Sequence, residues 1–183
     1  MYPRTRSLIL AGACALAAAI LVAGCGGGGG STTGGAPQLV YGAGFRFTAP
    51  GKWHVSRTQD QVSASPKPIA PELVSVSVFP LQRVYTPDLY DREVAKELDP
   101  YSLKLAKQQH GKVVASKDVE VAGIRSRQYE LEYPRSGKQL GERITFVFRI
   151  KTEYELLCQW DASKPEPAYC AQLTASFRPI GPT

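Results

Sequence analysis

The sequence predicts an α+β fold in which helices pack against an antiparallel sheet. Three observations carry this. Val74, Val76 and Val78 in LVSVSVFP alternate with polar residues, the period of a half-buried strand. Tyr90, Val94, Leu98, Tyr101 and Leu105 recur at steps of four, four, three and four, the stripe of an amphipathic helix. A run of strand-like segments then fills 112–161, and YCAQLTASFR follows with helical spacing. Strands, a helix, more strands and a last helix are the order of an α+β domain rather than of a parallel α/β sheet.

The chain begins with a different kind of segment. Arg4 and Arg6 precede an uncharged run from Leu8 to Val22, with no acidic residue nearby. A basic start and an apolar stretch of this length form an export signal, and the stretch is short for a permanent membrane span. It ends in Val22-Ala23-Gly24-Cys25. These residues resemble the lipobox of bacterial lipoproteins. That resemblance implies a cut before Cys25, a diacylglycerol on its thiol and an acyl chain such as palmitate on the new amino group. Residues 1–24 are therefore read as the leader, and 25–38 as a lipidated cysteine with a Gly/Ser/Thr tether. Gly26 to Gly30 and the STTGG that follows have little to bury and suit a flexible spacer. Two or three acyl chains hold a protein on a membrane stably.

Residues 39–183 remain for one domain. Without the leader the chain has 20 basic and 16 acidic residues, a mild excess compatible with anionic surfaces and with plain solubility. FRFTAPGKWHVS, 45–56, reads as two short strands about Pro50-Gly51. SPKPIAP, 65–71, is a loop, because proline cannot sit inside a sheet. Thr86 and Pro87 suit an N-cap and first helical position. The helix stripe ends near His110-Gly111, and Pro100 inside it marks either a kink or a restart. Strands 112–123 and 124–134 meet at Ala122-Gly123. Residues 135–141 form a turn. ERITFVFRI, 142–150, and EYELLCQWD, 153–161, read as a hairpin with Phe146 facing Cys158 and Ile144 facing Trp160. The preceding strand would place Leu131 opposite Ile144 and Tyr129 opposite Phe146. The last helix runs from about Glu166 to Ala175, with Cys170, Leu173 and Phe177 on one side.

An exported chain folds under oxidising conditions. Cys158 and Cys170 are accordingly read as a disulfide that pins the last helix to the sheet, ahead of a reactive thiol. A bridge requires Cα atoms about 4.4–6.8 Å apart.

FRFTAPGKWHV, VSVSVFPL, VAGIRSRQYELEY, ERITFVFRIKTEYELLCQ and YCAQLTASFR together resemble the PsbP-like α/β/α sandwich, and within it the LpqN-type envelope lipoproteins. The resemblance covers most of 40–180. It implies a membrane-tethered, non-enzymatic module that binds or supports a partner, and it rests on structural motifs.

Signatures of catalysis are missing from the sequence. There is no HExxH, GxSxG, P-loop or CxxC. His54 and His110 are too few for a three-histidine metal site and read as surface and helix-end residues. No metal and no cofactor is expected. Asp88, Asp91, Glu93, Glu97 and Asp99 read as a solvated helix face, since a calcium loop would need a turn glycine among them. Arginines beside tyrosines raise a nucleic-acid reading, but cross-strand acids answer it, and no nucleic-acid partner is expected. Arg125 and Arg127 fall on the apolar side of their strand. They either cover a helix end, the preferred reading, or contact an anionic ligand.

The expectation is thus an exported, membrane-anchored envelope lipoprotein, monomeric and non-catalytic, serving as a binding or adaptor module for a protein or envelope partner. The alternatives are an envelope hydrolase and a carrier of lipid or another small hydrophobic ligand. A polar cleft with converging titratable groups would favour the hydrolase, and an enclosed apolar cavity the carrier.

Overall fold

A computed structural model describes residues 35–181. The leader and Cys25 lie outside the described residues. Nine strands and a helical segment on either side of the meander follow in order: β1 (Gln38–Gly42), β2 (Phe45–Ala49), β3 (His54–Arg57), β4 (Gln61–Ser65), β5 (Leu73–Tyr85), α1 (Pro87–Leu89), a π-helical turn (Tyr90–Val94), α2 (Ala95–Gln108), β6 (Lys112–Val121), β7 (Ile124–Arg135), β8 (Lys138–Asp161), α3 (Ala168–Ser176) and β9 (Arg178–Pro179). They build two antiparallel sheets. One has six strands in the order β3-β4-β5-β8-β7-β6, and the other has three in the order β1-β2-β9.

The six-stranded sheet buries both faces. On one side Tyr129, Leu131, Ile144, Phe146 and Phe148 pack with Leu98 and Ala106 of α2. On the other side Val74, Val76, Leu156 and Cys158 pack with Phe45 and Phe47 of the small sheet and with Cys170, Leu173 and Phe177. Three layers result, with the large sheet in the middle.

This arrangement corrects the expected hairpin. Residues 142–150 and 153–161 do not fold back on each other. They are halves of one long strand, β8, whose first part pairs with β7 and whose second part pairs with β5. Ile150 between them has a φ of 53°. A left-handed residue inside a strand acts as a bulge and shifts the side-chain alternation by one. Ile144, Phe146 and Phe148 therefore face α2, whereas Tyr154, Leu156 and Cys158 face α3 and the small sheet. Phe146 and Cys158, expected to face one another, lie on opposite sides.

The β7–β8 register also differs. Tyr129 sits opposite Ile144 and Arg127 opposite Phe146, because the chain turns tightly between Arg135 and Lys138. Ser136 and Gly137 both have positive φ, as a two-residue type I′ turn demands. The slip from the expected pairing is two residues, so each side chain keeps its face.

The small sheet is an addition to what was expected. Gln38, assigned to the tether, opens β1, and its side chain donates to the carbonyls of Pro50 and Trp53. The strands flanking Pro50-Gly51 belong to different sheets, so this turn is the crossing between layers.

The helix starts at Pro87 with Thr86 as its cap residue, although the Thr86 hydroxyl donates to the Asp88 carboxylate and accepts no backbone N–H of the first turn. The expected stripe packs as predicted, but the irregularity falls at Tyr90–Val94, and α2 runs through Pro100. At the other end His110, not Gly111, takes the left-handed conformation, with a φ of 55°. Gly111 serves close approach: a Cβ there would lie 2.3 Å from the Glu132 carbonyl oxygen. Cys158 and Cys170 are joined by a disulfide, with Cα atoms 5.3 Å apart. It ties α3 to β8 inside the second core.

Candidate functional site

The residues singled out for ligand contact, Arg125 and Arg127, project from β7 toward the start of the long helix. Asp118 of β6 is the direct cross-strand partner of Arg127. Arg127 donates to Asp118 and to Asp99 of α2, each at 3.0 Å. Arg125 reaches Asp118 at 2.8 Å and Asp91 of the π-helical turn at 2.9 Å. The aromatic rings complete the cluster. The Arg125 guanidinium carbon lies 4.4 Å from the Tyr90 ring centre, and that of Arg127 lies 5.3 Å from the Tyr129 ring centre. The Tyr90 hydroxyl donates to Asp118 at 2.6 Å, and the Tyr129 hydroxyl donates to Asp99 at 2.5 Å.

Two guanidiniums thus face three carboxylates. Each arginine is held by two carboxylates, and the arrangement clamps the first turns of the helix onto β6 and β7. An anionic ligand would have to displace carboxylates that are already bonded. Partial burial works against the charge on Asp118, but hydrogen bonds from Tyr90, Arg125 and Arg127 outweigh it and hold the carboxyl below the ordinary range. Burial, then the hydrogen bond to Asp118, pushes the Tyr90 hydroxyl well above its usual value. Tyr129 is pushed up likewise, by burial and then by Asp99. These groups hold fixed protonation states near neutrality, which suits a clamp and not proton transfer.

Asp91, Asp99 and Asp118 were not picked out from the sequence as partners of the arginines. A signal for one of them existed. A two-residue turn at Ala122-Gly123 pairs Val121 with Ile124 and, three residues further along each strand, Asp118 with Arg127. Asp91 and Asp99, by contrast, stay largely exposed on the helix, as expected, and their arginine partners come from a strand more than twenty residues away.

A second polar cluster lies under the same layer. Glu142 is 4% exposed. It accepts from the Tyr133 hydroxyl at 2.5 Å and from Gln159 Nε2 at 3.2 Å, and Gln159 also donates to the Tyr133 oxygen. Burial raises the Glu142 carboxyl above its ordinary range despite both hydrogen bonds. Trp160 packs against Gly141 so closely that a Cβ there would lie 2.5 Å from its ring.

An open groove of 640 Å³ runs nearby, between the end of α2 and the turn after β8, with His110, Lys112, Glu132, Gln139 and Ser163 along it. Lys112 pairs with Glu132 at 3.3 Å. The Ser163 hydroxyl donates straight to Asp161 at 2.6 Å, with no histidine between them, so the Ser–His–Asp relay of a hydrolase is not assembled here. His54 and His110 are both exposed. Among the described residues no group of three His, Cys, Asp or Glu side chains is arranged to hold a metal ion, and no helix is long and apolar enough to cross a membrane.

The fold is PsbP-like. Cyanobacterial PsbP from Synechocystis sp. PCC 6803 superposes with a TM-score of 0.61 and 12% identity, over 84% of this chain and 98% of that one. A protein from Bacteroides thetaiotaomicron matches with a TM-score of 0.55 and 11% identity, over 79% of this chain. The chain spans about half of the Bacteroides protein, 48%. LpqN of Mycobacterium tuberculosis, described as involved in cell envelope biogenesis, gives 0.45 and 12% over 80% of this chain and 87% of that one. At these identities the likeness concerns fold alone. No family model and no curated protein matches the chain.

Proposed function

We propose that this protein is an exported lipoprotein, anchored through Cys25 on the extracytoplasmic side of a bacterial membrane, whose PsbP-like domain acts as a non-catalytic binding or adaptor module. The observation that carries the reading is the ordered set of Arg4, Arg6, the apolar run Leu8 to Val22, and Val22-Ala23-Gly24-Cys25. Two features of the domain support the second half. The arginines and carboxylates of the helix clamp are spent on each other. The groove between the end of α2 and the turn after β8 is open and lined by both polar and apolar residues, unlike the enclosed apolar cavity a lipid carrier needs.

Cys25→Ser is the test. It is expected to shift the protein from the membrane fraction to the soluble fraction or to stop processing of the leader, and mass spectrometry of the wild-type amino terminus is expected to show an acylated cysteine. Unchanged membrane retention with an unmodified amino terminus would sink the anchor.

A further inference from the structure

The charge of this chain is unevenly placed. All 16 acidic residues lie between Asp60 and Glu166, where 16 of the 22 basic residues balance them. The positive excess of the domain therefore rests on Arg46, Lys52, Arg57 and Arg178, outside that stretch. Arg46 and Arg178 are cross-strand neighbours on β2 and β9. Strands β1, β2 and β9 contain no acid at all, and Arg46 has no ion-pair partner among the described residues.

The same sheet exposes apolar groups on the side turned away from the core. Tyr41 is the cross-strand partner of Arg46, so Tyr41, Arg46 and Arg178 form one row across three strands. Leu39 lies two residues along β1, and Ile180 follows β9, its N–H donating to the Gly44 carbonyl. Leu39, Tyr41 and Ile180 are 51%, 52% and 47% exposed. Val40, Phe45 and Phe47, which alternate with this outward set, are buried.

We infer that this outer face of the small sheet is the surface that lies on the membrane, its arginines against anionic lipid headgroups and its Tyr41, Leu39 and Ile180 at the headgroup–acyl boundary. The placement of the anchor favours lipid over a free polyanion. Ten residues join Cys25 to Gly35, and even fully extended they reach about 35 Å; β1 begins three residues later. The strand nearest the tether is the strand that carries Leu39 and Tyr41. Aromatic and basic side chains together are the residues that settle at a bilayer interface, whereas a dissolved polyanion has no use for the exposed leucine and isoleucine. This inference rests on the anchored reading above, and its test is built to fail separately from it.

Residues 33–183 form a compact unit of their own that contains both cores, so they can be measured without Cys25. Co-sedimentation with vesicles of equal parts phosphatidylglycerol and phosphatidylcholine, at low ionic strength, reads the face directly. Wild-type protein is expected to bind these vesicles, to release in 0.5 M salt, and to bind pure phosphatidylcholine far less. Each basic residue at an anionic surface contributes about fivefold in partitioning. Arg46→Glu removes one such step and adds a repulsive one, so Arg46→Glu with Tyr41→Ser should weaken binding by about 25-fold or more. Both side chains point outward, and circular dichroism checks that the variant folds. Lys104→Glu, on exposed α2, makes the same change in net charge and should leave binding within about twofold. Equal binding to both vesicle types, or equal losses in the two variants, would overturn the assignment. Lipidation of Cys25 is decided by fractionation of the full chain, so neither result can stand in for the other.

Discussion

The two faces of the six-stranded sheet are covered by different means. The face under α2 combines an apolar stripe with a rim of ion pairs, in which Arg125, Arg127, Asp91, Asp99 and Asp118 hold the helix start. Toward α3 and the small sheet the cover is almost wholly apolar. Phe45, Phe47, Tyr154 and Phe177 meet ring to ring, with centroids 5.2–6.2 Å apart, and the disulfide closes it. The contrast follows from helix length. The 14 residues of α2 carry their own stripe of core residues. The 9 residues of α3 bury only Cys170 and Leu173 within the helix itself, too little to hold a short helix on burial alone.

Breaking the covalent tie should therefore have the largest effect. With its ends 12 positions apart in sequence, the bridge restrains the unfolded chain by about 3 kcal/mol in the chain-entropy account, and loss of a native bridge in a small exported domain costs about 2–5 kcal/mol. Cys158→Ala with Cys170→Ala is expected to lower stability by that amount in urea. Hydrogen exchange should show α3 and β9 opening first while β6, β7 and the first half of β8 stay protected. Uniform loss of protection would mean that the two faces unfold together and that the comparison has no energetic content.

The clamp should be weaker, because its groups are partly wet. Asp118 is 38% exposed and Arg125 is 53% exposed at the side chain, so screening discounts each pair. Asp118→Ala removes the acceptor shared by Arg125, Arg127 and Tyr90, and about 1–2 kcal/mol is expected, between an isolated surface pair and a buried one. Its pH dependence has a definite sign. The folded carboxyl titrates below the unfolded one, so its contribution is present above the unfolded value and is lost as pH falls through the folded value. The difference between wild type and Asp118→Ala should shrink in acid and also in molar salt. A difference that persists in 1 M salt would show that packing, not charge, holds the helix start.

How far the sequence reaches depends on whether a feature is local. Helix stripe, the turn at Ala122-Gly123 and the alternating strands at 73–78 and 124–134 follow periodicity and turn chemistry, and they are where the residues say they are, whereas the turn expected over 135–141 shrinks to Ser136-Gly137. The pairing of Cys158 with Cys170 was legible because the leader implies an oxidising compartment and both cysteines lie on apolar stripes. Ile150 was not. A β-branched residue at positive φ contradicts the steric preference that sequence reading relies on, and that one residue exchanges the faces of half of β8. The small sheet escaped for a second reason. Its third strand is two residues long and pairs with β2 from the other end of the chain, so no window of sequence contains it. At the clamp, the arginines stood out because charge on an apolar strand face is conspicuous, whereas Asp91 and Asp99 are largely exposed helix acids whose pairing with a distant strand no local pattern marks.

The last and smallest effect sharpens the contrast within the α2 face itself. Glu142 and Asp118 are both carboxylates under this layer, but burial raises the first and hydrogen-bonded charge lowers the second. Their pH dependences must therefore oppose. For a carboxyl whose folded value lies above its unfolded value, stability is fully present below the unfolded value and declines as pH rises through the folded one, because the unfolded chain releases the proton first. Glu142→Gln keeps an oxygen to accept from Tyr133 and Gln159 and removes the ionisation. At acid pH the variant should match wild type closely. As pH rises past the ordinary carboxyl range the variant should become the more stable of the two, with a gap that widens until Glu142 is fully ionised. Paired urea titrations of the two proteins from pH 4 to 8 measure it. A gap that is constant with pH, or that favours wild type at neutral pH, would mean that the buried carboxylate is stabilised by Tyr133 and Gln159 more than burial penalises it.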